Sequence, residues 1–185
     1  SGPAARLRTL VRSLKGGHTV DYETTAPFVT GTGLPHPVEN GFQWHHSHGV
    51  PYLPGSSVKG MLRAWATHWE DVDHAAVQRL LGGADGSGSL IVFDAFPAAK
   101  VRVCTEVITP HAGDWRITST PRKSPPGDWI QPVPIHFLAV PPGTTFQFAL
   151  APRPGASQDA EGEISLASAW LDAALAWMGA GARTA

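Results

Sequence analysis

Cysteine is nearly absent from this sequence, because Cys104 is the one cysteine among its 185 residues. An internal disulfide requires a second cysteine, and a multi-thiolate zinc site requires further thiolates, so the composition excludes both. A chain without disulfides fits a reducing compartment, and we interpret it as a cytoplasmic protein.

Long apolar runs are missing too. No stretch of the sequence approaches the roughly 20 apolar residues that a membrane-spanning helix needs, and its start lacks the apolar core of a signal peptide. The sequence therefore predicts neither a membrane partner nor export.

Charge is low and nearly balanced, with 14 Lys and Arg against 15 Asp and Glu and a net charge of −1. The positive excess typical of a freestanding nucleic-acid binder is therefore absent. Cations do gather near the start, at Arg6, Arg8, Arg12 and Lys15, where they fit either a local anionic partner or a solvated helix face. Near neutrality favours action within an assembly over tight binding by the chain alone.

Glycine and proline, in contrast, are abundant, and the 20 Gly and 17 Pro predict long, shaped loops. A chain of this length that is 42% hydrophobic can bury one substantial core. We predict an N-terminal amphipathic helix within residues 1–17 and a single domain over residues 18–185. The polar, proline-rich residues 108–133 predict an arm that extends from this domain.

Four segments have the apolar spacing of a helix. They are residues 3–15, which end at Gly16 and Gly17; a segment with the stripe Val58, Met61, Leu62, Trp65 and Trp69; residues 73–81, with Asp73 as N-cap; and residues 164–178. Trp170 and Trp177 lie close to the last stripe. We predict that both, like Trp65 and Trp69, belong to the core.

Five segments predict strands, at residues 18–29, 89–97, 101–107, 134–140 and 144–150. The last two form a predicted hairpin across residues 141–143. The order of strand, helix, several strands and helix indicates the α+β class and a split βαβ or ferredoxin-like sandwich. We expect its final strand to be missing, because only residues 183–185 follow the last glycine turn.

The segment PGSSVKG, residues 54–60, is a candidate anion site. Pro54 and Gly55 favour a turn, and Ser56 or Ser57 can cap the helix that follows. The unpaired N–H groups of the first turn then point at whatever lies in front of the helix, an arrangement that favours an anion.

Two cations extend this candidate site. Lys59 and Arg63 are four residues apart, so both emerge on one face of the helix and could reach adjacent phosphates. The Walker pattern is absent, and nucleotide hydrolysis is therefore not indicated. An ordinary capped helix with surface charges remains the alternative interpretation.

A second candidate site is the closing segment GAGARTA. Gly179 and Gly181 end the last helix and allow backbone N–H groups to approach a ligand closely, while Arg183 and Thr184 offer a charge and a hydroxyl. A frayed terminus is the alternative interpretation.

A histidine group, His36, His45, His46 and His48, lies in the long loop before the second helix. As general acid and base, two of these imidazoles could cleave RNA without a metal, which makes a metal-independent endoribonuclease that processes precursor RNA the alternative function. The group could also ligate zinc, but no further ligand spacing is visible, and loop histidines that merely form hydrogen bonds are the plainer interpretation. We expect no metal site and no cofactor.

Three tryptophans, Trp44, Trp115 and Trp129, lie in predicted loops. There they can stack on bases or pack on a partner protein, and the sequence leaves both open.

Several segments resemble the RAMP proteins of type III-B CRISPR effectors, and within them the family of subunit six of the Cmr complex. They are TGTGLPHPVENGFQWHHSHGVPYLPGSSVKGMLRAWA, VFDAFP, VITPH, PGDWIQPVPIHFLAV, TTFQFAL and GAGART. The likeness extends from about His18 onward and is strongest at the Pro-Gly-Ser-Ser-x-Lys-Gly turn. It implies a ferredoxin-like, RRM-related RAMP fold with long loop insertions and a glycine-rich loop after the last helix.

The resemblance also implies a function, which is non-catalytic RNA binding in antiviral defence. A subunit of this kind is expected to hold the guide RNA backbone near its 3′ end, beside other RAMP subunits, the small helical subunit and the target RNA duplex. Its implied RNA contacts are Ser56, Ser57, Lys59, Arg63, Gly179, Gly181, Arg183 and Thr184, and residues 108–133 would be a thumb. The loop at 31–49 contains no aspartate, so the resemblance does not extend to target cleavage.

Overall fold

The structure, a computed structural model, describes residues 2–37, 40–84, 86–112 and 127–181, and these ranges hold four helices and six strands. In chain order they are α1 (Pro3–Ser13), β1 (His18–Glu23), α2 (Gly55–His68), α3 (His74–Leu81), β2 (Leu90–Val92), β3 (Phe96–Pro97), β4 (Cys104–Ile108), β5 (Ile135–Ala139), β6 (Thr145–Pro152) and α4 (Ala160–Trp177). The predicted α+β class and all four predicted helices are confirmed. None of these helices is long and apolar enough to cross a membrane.

Strand β6 is the centre of the main sheet and pairs antiparallel along both of its edges. β1 lies along one edge, with Tyr22 opposite Phe146, and β2 and β3 lie along the other, with Val92 opposite Leu150. β4 and β5 form a separate two-stranded antiparallel sheet. The order β1, α2, β2–β3, β6 and α4 matches the skeleton predicted from the sequence.

The predicted hairpin between residues 134–140 and 144–150 is wrong. β5 pairs with β4, whereas β6 pairs with β1, β2 and β3. The connection carries the chain from one sheet to the other, because Val140 pairs with Phe28 and the Gly143 N–H donates to the Thr24 carbonyl at 2.7 Å. The chain turns at residues 141–143, as predicted, but a turn does not determine whether the strands before and after it pair with each other.

The strand predicted over residues 89–97 is divided into β2 and β3. The break contains Asp94, whose carboxylate Oδ1 accepts a hydrogen bond from the Gly55 N–H at 2.7 Å. The break therefore links the sheet to the start of α2.

The core lies between the main sheet and the helices α2 and α4. Alternate residues of β6 face this side, since side chains on a strand point to opposite faces in turn. Phe146, Phe148 and Leu150 pack in one cluster with Leu62 of α2 and Leu171 of α4. Ala149 faces the other way and packs against α1.

Tryptophans predicted to be core residues behave in two ways. Trp65 and Trp170 are buried, as predicted, whereas Trp69 is 62% exposed and Trp177 is 74% exposed. Trp69 lies one residue beyond α2 and Trp177 is the last residue of α4, so both are at helix ends, where fewer neighbours cover a side chain. Trp69 instead stacks on Trp65 with ring centroids 5.3 Å apart.

Candidate nucleic-acid interface

The two predicted anion-binding segments meet at one cavity of about 370 Å³. Ser57 lines it from the first turn of α2, and Gly179 and Gly181 line it from the turn after α4. Thr30 and Gly31 close the side that follows β1. The sequence separates these segments by more than a hundred residues, and packing of α4 beside α2 brings them together.

Glycine is required at this cavity by both conformation and space. Gly31, Gly179 and Gly181 have φ angles of 76°, 71° and 79°, in the left-handed region that other residues avoid. A Cβ at Gly181 would lie 2.4 Å from the Val29 carbonyl oxygen. The backbone of the closing turn therefore passes directly over the segment that follows β1.

The helix start in front of this cavity is capped differently from the prediction. α2 begins at Gly55 with Pro54 as N-cap, and the serine side chains make no capping hydrogen bond. Asp94 supplies the cap through its bond to the Gly55 N–H. The serine cap was therefore a wrong prediction, and the consequence is that Ser56 and Ser57, both exposed, keep their hydroxyls available to a ligand.

Lys59 and Arg63 have different surroundings although they share a helix face. The Arg63 Nη2 donates to the carbonyl oxygens of Gly82, at 2.6 Å, and of Leu81, at 3.4 Å, which are at the end of α3. A cation at a helix C-terminus is favourable because carbonyl groups are unsatisfied there. Arg63 therefore joins α2 to α3, and neither Arg63 nor Lys59 lines the cavity.

Several predicted residues lie outside the described part of the chain. Arg183 and Thr184 are among them, as are Trp115 and residues 113–126 of the predicted thumb. Of the remaining loop tryptophans, Trp129 is 74% exposed and Trp44 is 39% exposed against Phe42.

A second, larger cavity of about 650 Å³ adjoins the first. Its apolar lining comes from the sheet and from the end of α4, and includes Phe28, Phe146, Phe148, Leu175 and Trp177. Its polar lining includes Tyr22 and Asp172. Both cavities share Leu53 and residues 178–180, so they are separated only by the turn after α4.

Tyr22 and Asp172, which both line this larger cavity, form a hydrogen bond in which the Tyr22 hydroxyl donates to Asp172 Oδ1. Burial raises the pKa of Tyr22 well above its usual range, and the hydrogen bond and negative charge of Asp172 raise that pKa further. The hydroxyl therefore keeps its proton at neutral pH. Sequence reasoning missed this pair because its members are 150 residues apart and belong to no local pattern.

The histidine group does not reach either cavity. His45 and His48 stack on each other with centroids 4.5 Å apart and pack against Phe96, while His36 and His46 are exposed. An acid–base pair needs the reacting group between its two imidazoles, and ring faces in contact leave no such space. The described ranges also contain no group of three or more side chains that could hold a metal ion.

The sequence and the fold of this chain are similar to those of one group of known proteins. A sequence model of the RAMP superfamily matches residues 21–185. The CRISPR system Cmr subunit Cmr6 of Pyrococcus furiosus is 24% identical in an alignment that covers 73% of this chain and 57% of that protein. The chain therefore spans a little more than half of that relative.

Two solved structures share the fold. A chain of the type III-B Cmr-beta complex bound to cognate target RNA, seen by cryo-EM, matches with a TM-score of 0.70 and 22% identity over 97% of this chain and 59% of that one. The crystal structure of Cmr6 from Pyrococcus furiosus matches with a TM-score of 0.50 and 24% identity over 92% of this chain and 95% of that one. At these identities the likeness establishes the fold.

Proposed function

The chain belongs to the RAMP superfamily, and we propose on that premise that it is a non-catalytic, RNA-binding structural subunit of a type III-B CRISPR effector complex. In this role it holds the backbone of the guide RNA near the 3′ end, beside other RAMP subunits, the small helical subunit and the duplex with target RNA. The similarity to Cmr6 supports membership of such a complex, and the structural match to a chain of a complex bound to target RNA supports RNA as the ligand.

The observation that carries the proposal is the shared cavity of Ser57, Gly179 and Gly181. A serine hydroxyl at a helix start and a backbone free of side chains suit phosphate and ribose oxygens, which carry no sequence information. Base pairing of the guide then reads the target sequence, and this chain contacts only backbone and shape. Ser56 and Lys59 extend the same contact along α2, and Arg183 and Thr184 remain predicted contacts after the closing turn.

Charge supports a shared rather than a solitary binding role. With a net charge of −1, the chain offers few cations to neutralise phosphates, and Arg63 is engaged with α3. Affinity for nucleic acid depends on the number of phosphates neutralised. Neighbouring subunits therefore supply most of the affinity, and this subunit supplies position.

The endoribonuclease alternative gains no support from the fold. The stacked His45 and His48 rings pack on Phe96 rather than facing a cavity. The long loop at 31–49 contains Glu39 as its only acidic residue, and Glu39 lies outside the described ranges. Incubation of the chain with precursor RNA in EDTA should therefore leave the RNA intact, and cleavage that a His48→Ala variant abolishes would restore the enzyme interpretation.

A salt titration of RNA binding tests the backbone contact. Removing one phosphate contact lowers the slope of log affinity against log salt by about 0.7 for a single strand. We expect Lys59→Ala to show this loss with single-stranded RNA. The exposed Lys100, which follows β3 and does not lie on α2, provides the matched control variant Lys100→Ala. Equal slopes for the two variants would remove Lys59 from the interface.

Purification from native cells tests the assembly. A tagged chain should bring down guide-length RNAs that share a repeat-derived end, together with several other RAMP proteins. Recovery of the chain alone and free of RNA would contradict the proposed role.

A further inference from the structure

The larger cavity beside the turn after α4 has a largely apolar lining, which suits a chemical group other than the RNA backbone. We propose that it binds one nucleobase of the RNA strand whose backbone lies at the smaller cavity, and that it favours a base with an amino group over uracil. This inference rests on the proposed function, because it takes the RNA path along the glycine turns as its starting point.

The continuity of the two cavities is the first step. Both are lined by Leu53 and by Met178, Gly179 and Ala180 of the closing turn. If an RNA strand places a ribose-phosphate at this turn, the attached base extends to one side of the backbone and can reach a neighbouring cavity. The larger cavity shares residues 178–180 with the smaller one and is the adjoining concave space that can receive one base.

Size and aromatic lining are the second step. A volume of about 650 Å³ falls within the range of small-molecule sites in proteins. Phe146 and Phe148 form the floor on β6, and Trp177 stands at the end of α4 with 74% of its surface exposed. An exposed aromatic face beside an apolar floor suits the stacking of a base, because every base has a flat π-face.

The polar groups exclude phosphate and select among bases. The Asp172 carboxylate repels an anion, so the cavity does not continue the phosphate path. Tyr22 donates to Asp172 Oδ1, which leaves Oδ2 to accept a hydrogen bond from a ligand. Adenine, cytosine and guanine carry exocyclic amino donors, whereas the one N–H on the pairing edge of uracil lies between two carbonyl oxygens that a carboxylate repels.

Binding of labelled homopolymeric RNAs tests the inference. At low salt, fluorescence anisotropy should show short adenosine and cytidine strands binding roughly fivefold or more tightly than a uridine strand, in proportion to one gained base contact. Asp172→Asn should reduce this difference, because an amide can turn to donate to uracil. The exposed position of Asp172 makes the variant compatible with folding, which a thermal melt verifies.

A pair of tryptophan variants isolates the stacking. Trp177→Ala should weaken all three strands roughly fivefold or more. Trp69→Ala is the matched control, because Trp69 is also largely exposed, at 62%, and lines neither cavity. The RNA affinities of the Trp69→Ala variant should stay within twofold of those of the unmodified chain, a difference of about 0.4 kcal/mol in binding free energy.

The failures are distinguishable. Equal affinity for the three strands, with no effect of Trp177→Ala but a lower salt slope for Lys59→Ala, would overturn the nucleobase site and leave the backbone role intact. Binding of no RNA at all would overturn both. Free nucleoside monophosphates that bind as tightly as the strands would also overturn the inference, since the cavity would then be a site for a small nucleotide.

Discussion

At the scale of residues, aspartates cap α2, α3 and α4, although a serine was predicted to cap α2. Asp73 accepts from the Ala75 N–H at 3.1 Å at the start of α3, and Asp159 accepts from the Gly162 N–H at 3.1 Å at the start of α4. Each of these aspartates lies two or three residues before the N–H group that it caps, so the sequence pattern that predicted Asp73 could also have predicted Asp159. Asp94 is 39 residues from the Gly55 N–H that it caps, so no local pattern reveals it.

In the proposed RNA-binding role, the Asp94 carboxylate would compete with an RNA phosphate for the positive end of α2. We expect Asp94→Asn, which keeps the acceptor oxygen and removes the charge, to raise RNA affinity roughly twofold to fivefold at low salt. A filter-binding titration measures the change. Asp73→Asn, at the start of α3, is the control, and an equal rise in both variants would indicate a general charge effect rather than a contact at α2.

The Tyr22–Asp172 bond predicts a loss of stability in alkali. Because the pKa of Tyr22 is raised in the folded chain, its contribution is fully present below the unfolded pKa of about 10 and is lost as the pH rises above it. Urea unfolding from about pH 8 to about pH 11 should show a decline that Tyr22→Phe reduces. Tyr52→Phe removes the other tyrosine hydroxyl, and the decline should persist in that variant.

At the scale of elements, α2 has two distinct surfaces. Its apolar stripe packs on the sheet, and Arg63 on another side holds the end of α3 through two carbonyl groups. The sequence predicted the stripe because helical periodicity is local. It did not reveal the carbonyl partners of Arg63, since an arginine four residues after a lysine has the same spacing whether it meets a phosphate or a carbonyl group.

Arg63→Ala should therefore act on stability first. Loss of the charged donor leaves the carbonyl groups of Gly82 and Leu81 without that partner, and we expect the free energy of unfolding to fall by about 1–2 kcal/mol. Lys59→Ala on the same helix should leave stability within about 0.5 kcal/mol. Urea denaturation compares the two, and similar losses would show that the α2–α3 contact adds little.

At the scale of the whole molecule, the main sheet is covered on both faces. α2 and α4 cover one face, and α1 covers the other through Gln147, which is fully buried. Gln147 donates to the Ala4 carbonyl at 2.9 Å and accepts from Arg8 Nε at 2.8 Å, and Arg8 also pairs with Asp21 at 2.8 Å. The N-terminal helix is thus joined to the domain by a buried polar contact.

Gln147→Leu tests this joint. The substitution keeps much of the volume but leaves the Ala4 carbonyl and the Arg8 guanidinium without that partner, which should cost about 1–3 kcal/mol. Hydrogen exchange of the α1 amides should become faster as the helix loosens. Asp21→Asn breaks only the exposed ion pair and should cost less than about 1 kcal/mol. If both variants lose the same stability, the buried amide has no special part in holding α1.

The sequence by itself determined the helices, the two glycine-rich turns, the α+β class and the family. Each depends on spacing within a few residues, such as the stripe of Val58, Leu62 and Trp65 or the turn at 141–143. Tertiary structure alone decided that β5 pairs with β4 and not with β6. It also decided that Asp94 caps α2 and that Ser57 and Gly181 line the same cavity. These outcomes depend on contacts between distant segments, which form only when helices and strands bury their apolar faces together.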